Sequence, residues 1–189
     1  KNIKPCNWVQ ILDNVPDIVH EAFLHSTIST VQFLDENGRP LTEIADVGEL
    51  HFNETPNGVV SVETRRVGDN IWSRTLEFIC PNIANLSKTP TFPVKYPTDE
   101  HEICIIPKTF RWRVPVDDTH TMELNFYRAR KGDEYDRPNE GPATLTNRAG
   151  RSYEEMQREP GDFEAQIGQR PIAVHAMEHL TTTDRGVTM

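Results

Sequence analysis

The chain has 189 residues, enough for one domain with its own core and short for two. Its composition, 36% hydrophobic and 26% charged, is globular, and a net charge of −9 argues against a nucleic-acid partner. No apolar run reaches the ~20 residues that cross a bilayer, and "KNIKPCNWVQ" lacks the apolar centre of a signal sequence. The expectation is therefore a cytoplasmic protein without membrane contact. Three scattered cysteines, Cys6, Cys80 and Cys104, suit a reducing compartment, and the absence of CxxC, CxH and CxxH leaves no structural zinc or iron–sulfur site. A start at Lys1 and an abrupt end at "TTDRGVTM" suggest one domain, 1–189, cut from a longer polypeptide.

Residues 7–25 predict helix, because apolar positions from Trp8 to Phe23 recur at three and four. Pro16 interrupts the run; it lacks a backbone donor and crowds the preceding turn, so a kink or a new helix start belongs near Asn14. From about 28 to 130 the pattern becomes strand-like: "STVQFL", "GELHFNE", "GVVSVETRRV", "NIWSRTLEFIC", "HEICIIP", "FRWRVPV" and "HTMELNFYRAR". Turn signals such as "DENGRP", "TPNG" and "VGDN" separate several of them and predict an antiparallel meander. Residues 88–100 and 131–152 read as loops, "SYEEMQRE" as a short helix, and 160–189 as a mixed helix–loop tail. The fold class is α+β, a large antiparallel sheet with helices packed on one face.

One stretch carries chemistry. "DNVPDIVHEAFLH" places Asp17, His20 and His25 within nine residues, at offsets of three and five. Two histidines and a carboxylate are the ligand set of mononuclear ferrous oxygenases. On a regular helix an offset of five leaves two side chains about 140° apart, so one ion can be shared only where the helix ends or winds wider. A π-type turn would supply that winding. Asp17 lies on the same face as His20 and can bind the ion or stand behind the imidazole. Read from composition alone, ordinary helix histidines beside an exposed aspartate account for the stretch equally well. Asn14, three residues before Asp17, can line a pocket or cap the chain beside Pro16.

Other clusters are weaker. In "VDDTHT", alternation would put Asp118 and His120 on one strand face and Asp117 on the other, and Pro115 favours a strand corner over a metal site. His175 and His179, four apart, would pair on a helix and serve packing or line a substrate entrance. Arg65, Arg66, Arg74, Arg111 and Arg113 lie on predicted strands, as a solvated face or as clamps for a carboxylate.

"PCNWVQILDNVPDIVHEAFLH" resembles the iron-binding helix of Rieske non-haem iron oxygenases, in the phthalate-dioxygenase-like branch that includes aromatic O-demethylases. The matching residues are Asn7-Trp8, Asp17, His20 and His25. "WRVPVDDTHT" at 112–121 and "EHLTTTDRGV" at 178–187 are similar to two further segments of that branch. The resemblance implies the catalytic domain of an alpha subunit with a helix-grip, Bet v1-like fold. It implies Fe(II) held by His20, His25 and Asp162, the last lying nine residues before Pro171 in "GDFEAQIGQRPI". Read locally, Asp162 is equally a turn or cap residue after Pro160-Gly161.

By the same resemblance Asp17 becomes the electron-transfer bridge to a neighbouring subunit; Asn14 and His175, from their positions in the chain, are the candidates for the substrate pocket. A [2Fe–2S] cluster is expected on a Rieske domain outside this sequence. Partners would be dioxygen, an aromatic and often carboxylated substrate, and an NAD(P)H-dependent reductase or ferredoxin, with a homotrimer or hexamer built through the full subunit. Ring hydroxylation and O-demethylation both fit. A helix-grip small-molecule binding module without redox chemistry is the rival reading.

Overall fold

The computed structural model describes residues 2–25, 47–67, 69–86, 109–127, 152–158 and 160–189. The predicted strands "STVQFL" and "HEICIIP", and the predicted loops at 88–100 and 131–152, the latter but for Ser152, lie outside the described residues.

Among the described residues seven strands form one antiparallel sheet: β1 (Asn2–Lys4), β2 (Glu49–Thr55), β3 (Gly58–Val67), β4 (Asn70–Ile79), β5 (Ile83–Leu86), β6 (Thr109–Asp117) and β7 (His120–Tyr127). Their spatial order is β1-β7-β6-β5-β4-β3-β2, so β2 to β7 follow one another as a meander. Only β1 breaks the order, adding antiparallel to the far side of β7. The β2–β3 hairpin turns on Gly58, whose φ of +152° suits only glycine and where a Cβ would sit 2.0 Å from the Phe78 carbonyl oxygen. The α+β reading thus holds. β1 and β5, with three and four residues, are too short for alternation to betray.

Side chains alternate across the sheet, and Val59, Ser61, Glu63, Arg74, Leu76, Ala84, Arg113, Thr121 and Glu123 are buried. This buried face is unusually charged. Arg74 Nε donates to Glu63 Oε2 at 2.8 Å, Arg74 also pairs with Glu21, and Arg65 pairs with Glu63. Farther along, Glu123 takes Lys4 at 3.2 Å and Arg113 at 3.1 Å. Charges removed from water must be paired, and here the partners come from adjacent strands for Glu63–Arg74, Lys4–Glu123 and Arg113–Glu123, from one strand for Glu63–Arg65 and from the π-helix for Glu21–Arg74. Arg65, Arg74 and Arg113 are therefore neither a solvated face nor cations reserved for a substrate; protein carboxylates hold them.

The predicted helix 7–25 is broken. α1 covers Trp8–Leu12 and buries Gln10, Ile11 and Leu12 against the sheet near β6. Residues 13–16 turn, helix resumes at Val19, and Glu21–His25 winds as a π-helix. Pro16 cannot donate, which accounts for the break. Later elements are short: α2 (Tyr153–Arg158), α3 (Asp162–Gly168), 3-10 turns at His175–Met177 and Thr182–Asp184, and α4 (Arg185–Thr188). The helical pairing expected of His175 and His179 is absent, because helix stops at Met177. Among the described residues no helix is long and apolar enough to cross a membrane.

Candidate metal centre

The start of α1 meets the 112–121 segment and the Pro171 end of "GDFEAQIGQRPI". Asn7 caps the helix, its Oδ1 accepting from the Val9 N–H at 3.0 Å. Its Nδ2 donates to the Asp118 carbonyl at 2.8 Å, and its backbone N–H to the Pro171 carbonyl at 2.7 Å. Thr121 Oγ1 donates to the Cys6 carbonyl at 2.8 Å. The "DDTHT" segment is thus a hairpin turn that pins α1. Because the chain reverses at Asp118-Thr119, Asp117 pairs across the hairpin with His120 instead of pointing away from it. Asp117 accepts from the Thr119 N–H and hydroxyl and faces His120 Nδ1 at 3.0 Å; these bonds, the Thr119 N–H foremost, hold its carboxyl down at about 2. It is a corner.

His20 is the hub of the site. Its Nδ1 lies against the Asp17 backbone carbonyl, and Asp17 Oδ2 is 3.6 Å from the same nitrogen. Asp17 Oδ1 accepts from the His20 backbone N–H at 3.2 Å, so Asp17 also caps the resumed helix. On the other side of the ring, Nε2 is 3.5 Å from Asp162 Oδ1 and 3.1 Å from Asn14 Nδ2. Asn14 Nδ2 also donates to Asp162 Oδ1 at 3.4 Å. One imidazole therefore stands between two carboxylates, with Asn14 bridging the inner pair.

Electrostatics follow from this crowding. Burial opposes a charge on His20, but the Asp162 hydrogen bond and charge, aided by Glu21 and Asp17, prevail and lift it to about 9. Burial raises the Asp17 carboxyl, with His20 working against it. Burial likewise raises Asp13, helped by Glu178 and opposed by His175, to about 6.

Two donors about 2.1 Å from one first-row metal ion, at an angle near 110°, stand about 3.4 Å apart. The 3.5 Å between His20 Nε2 and Asp162 Oδ1 fits a shared ion. The π-helical turn ending at His25 supplies the wider winding that an offset of five needs. The His25 side chain lies outside the described residues. Among the described residues no group of three or more His, Cys, Asp or Glu side chains is placed to hold a metal ion. His175 is at the surface, its side chain 62% exposed and its Nδ1 2.8 Å from Glu178 Oε1.

Sequence reasoning passed over one support of this candidate centre and read another only as a solvated or substrate-holding arginine. Gln10, on the buried side of α1, bonds to the chain around α3. Arg74, on β4, pairs with Glu21, the residue after His20. A polar residue inside an apolar helical run, and arginine alternating inward on a strand, were the available signals.

No family model matches the chain. It is 30% identical over its whole length to the tert-butanol monooxygenase / tert-amyl alcohol desaturase oxygenase subunit of Aquincola tertiaricarbonis. It is 31% identical over 98% of its length to phenoxybenzoate dioxygenase subunit alpha of Ectopseudomonas oleovorans. The chain spans 42% and 41% of these curated relatives.

Proposed function

We propose, of a chain that belongs to the alpha subunits of Rieske oxygenases, that its role is to hold the mononuclear iron at which the full subunit oxidises an organic substrate. His20, His25 and Asp162 are the ligands in this reading. The chemistry that ferrous iron supplies there is dioxygen activation, with electrons from a [2Fe–2S] cluster on another domain.

The observation that carries the reading is the double engagement of His20. Its Nδ1 donates to the Asp17 carbonyl, which fixes the ring and leaves Nε2, facing Asp162, as the nitrogen that would give up its proton and lend its lone pair to an ion. Asn14 holds the Asp162 carboxylate from the side. Asp17, half-buried, keeps its carboxylate behind His20, where a partner subunit's cluster ligand can reach it. That is the position an electron bridge requires. Asn14 and His175 are the pocket residues in this account, Asn14 at the ligands and His175 at an exposed entrance.

The substrate is an aromatic compound, oxidised by O-demethylation or ring hydroxylation within a helix-grip domain. The oxygenase works in the cytoplasm as a trimer or hexamer with an NAD(P)H-dependent reductase or ferredoxin. The relatives' names, a monooxygenase and a dioxygenase, support oxygenation over the simple binding module. The test is turnover of the full-length subunit with its reductase under labelled dioxygen. Label in a diol product, or formaldehyde release beside an unlabelled phenol with matching dioxygen uptake, supports the reading, and which of the two appears distinguishes ring attack from demethylation. Binding of aromatic compounds without dioxygen uptake contradicts it.

A further inference from the structure

The hydrogen bonds of the Gln10 amide go to neither His20 nor Asp162, yet they join the two pieces of chain that carry the proposed ligands. Its residue is 2% exposed, and its amide is fully used. Nε2 donates to the carbonyls of Gln166 and Arg170, both at 2.9 Å. Oε1 accepts from the Ala173 N–H at 3.0 Å. All three partners lie at the end of α3 and in the segment that follows it.

A helix end leaves carbonyls without partners, and the Gln166 carbonyl has otherwise only a long 3.4 Å contact from the Gln169 N–H. Arg170 adopts a φ of 81°, a form that side-chain-bearing residues rarely hold, and from it presents its carbonyl to Gln10. Lys4 Nζ bonds the Gln166 side chain, and the Asn7 N–H bonds the Pro171 carbonyl, so the same end of α3 is fastened at neighbouring points.

Asp162 opens α3, one turn before Gln166. A seven-residue helix is a stiff rod of about 10 Å at 1.5 Å per residue, and a slip of one residue turns it by about 100°. Whatever fixes its C-terminal end therefore also fixes where the Asp162 carboxylate points. A buried apolar side chain could fill the space at Gln10. An amide with three fixed partners sets register and rotation as well.

We propose that Gln10 is a positioning residue of the metal centre, fixing the rotation of α3 so that Asp162 meets His20. The proposal rests on Asp162 being a ligand.

The test uses the full-length subunit loaded anaerobically with Fe(II). Ferrous affinity is measured by chelator competition, and ligand geometry by electron paramagnetic resonance of the nitric oxide adduct. Gln10→Met keeps size and removes the hydrogen bonds; Gln10→Glu keeps shape and removes the donors. Both are expected to weaken Fe(II) binding about tenfold, within the range of supporting-shell changes, and to alter the rhombicity of the signal. Gln10→Asn, with a shorter reach, falls between and serves where Gln10→Met does not fold. In an Asp162→Ala background Gln10→Met is expected to change nothing more. Equal losses in both backgrounds, or an unchanged affinity and signal in the first, overturn the proposal while leaving Asp162 a ligand. Binding that Asp162→Ala does not weaken overturns the ligand reading and the proposal with it.

Discussion

His20 and Asp162 meet at 3.5 Å, Nε2 to Oδ1, although they lie near opposite ends of the chain. The other side of the same imidazole is taken by Asp17. Two acids on one ring divide the work: the one facing Nε2 can share an ion with it, and the one behind Nδ1 cannot.

That division makes Asp17→Asn informative. Asparagine caps a helix as well as aspartate does, so the bond to the His20 N–H survives while the charge is lost. Ferrous binding should stay close to that of the unaltered protein, and turnover should fall about 10–100-fold, as for other supporting partners of a metal ligand. Metal analysis and single-turnover oxidation of the cluster check the two halves. Loss of iron in step with activity would make Asp17 a ligand instead.

Stability should depend on pH through Asp13. Burial and Glu178 raise its carboxyl from an ordinary 3.8 to about 6. Between those values the folded chain keeps a proton that the unfolded chain has lost, so stability falls as pH rises through the window. Asp13→Asn removes that loss. Urea unfolding should show the variant more stable than the parent above about pH 6 and equal to it below about pH 4. A gain that is the same at both ends would assign the effect to something other than titration.

The charged sheet face predicts a large loss in Arg74→Met. Arg74 lies between Glu63 and Glu21, both on its guanidinium, and removing it strands buried carboxylates. Breaking such a cluster from one side costs about 3–5 kcal/mol. Denaturant unfolding measures it; a neutral or stabilising result would mean that Glu63 and Glu21 find other partners.

Gly186 marks where the C-terminal helix crosses the segment that carries Asp17 and His20. A Cβ there would sit 2.5 Å from Phe52 Cε1 and 2.7 Å from the Pro16 carbonyl oxygen. The ring can swing but the carbonyl belongs to the turn before Asp17. Gly186→Ala should cost about 1–3 kcal/mol, the usual penalty of overpacking, read by thermal or urea unfolding.

Much of this architecture is legible in the residues. β2, β3, β4, β6 and β7 announce themselves by β-branched and aromatic runs between turn signals, and the meander follows from short connections. The uneven offset of His20 and His25 points to a wider turn, and Glu21–His25 is π-helical. Other features depend on distant partners and leave no local trace. β1 is a strand only because β7 offers it an edge. The break that Pro16 announces near Asn14 is by contrast local, and the backbone turns at 13–16. The spacing of His175 and His179 suggested a helix that the chain abandons after a single 3-10 turn. Arg74 and Arg113 alternate inward as hydrophobic residues do, and nothing near them in the chain names the carboxylates that neutralise them.

The central claim is that His20, His25 and Asp162 hold one ferrous ion. It is tested most directly by counting non-cluster iron in the anaerobically reconstituted protein beside His20→Ala, His25→Ala and Asp162→Ala, each checked for folding by circular dichroism. One ion per chain is expected in the parent, and clearly less in every variant at the same iron concentration, with affinity weakened and still measurable. A parent that binds none, or variants that bind as the parent does, would contradict it.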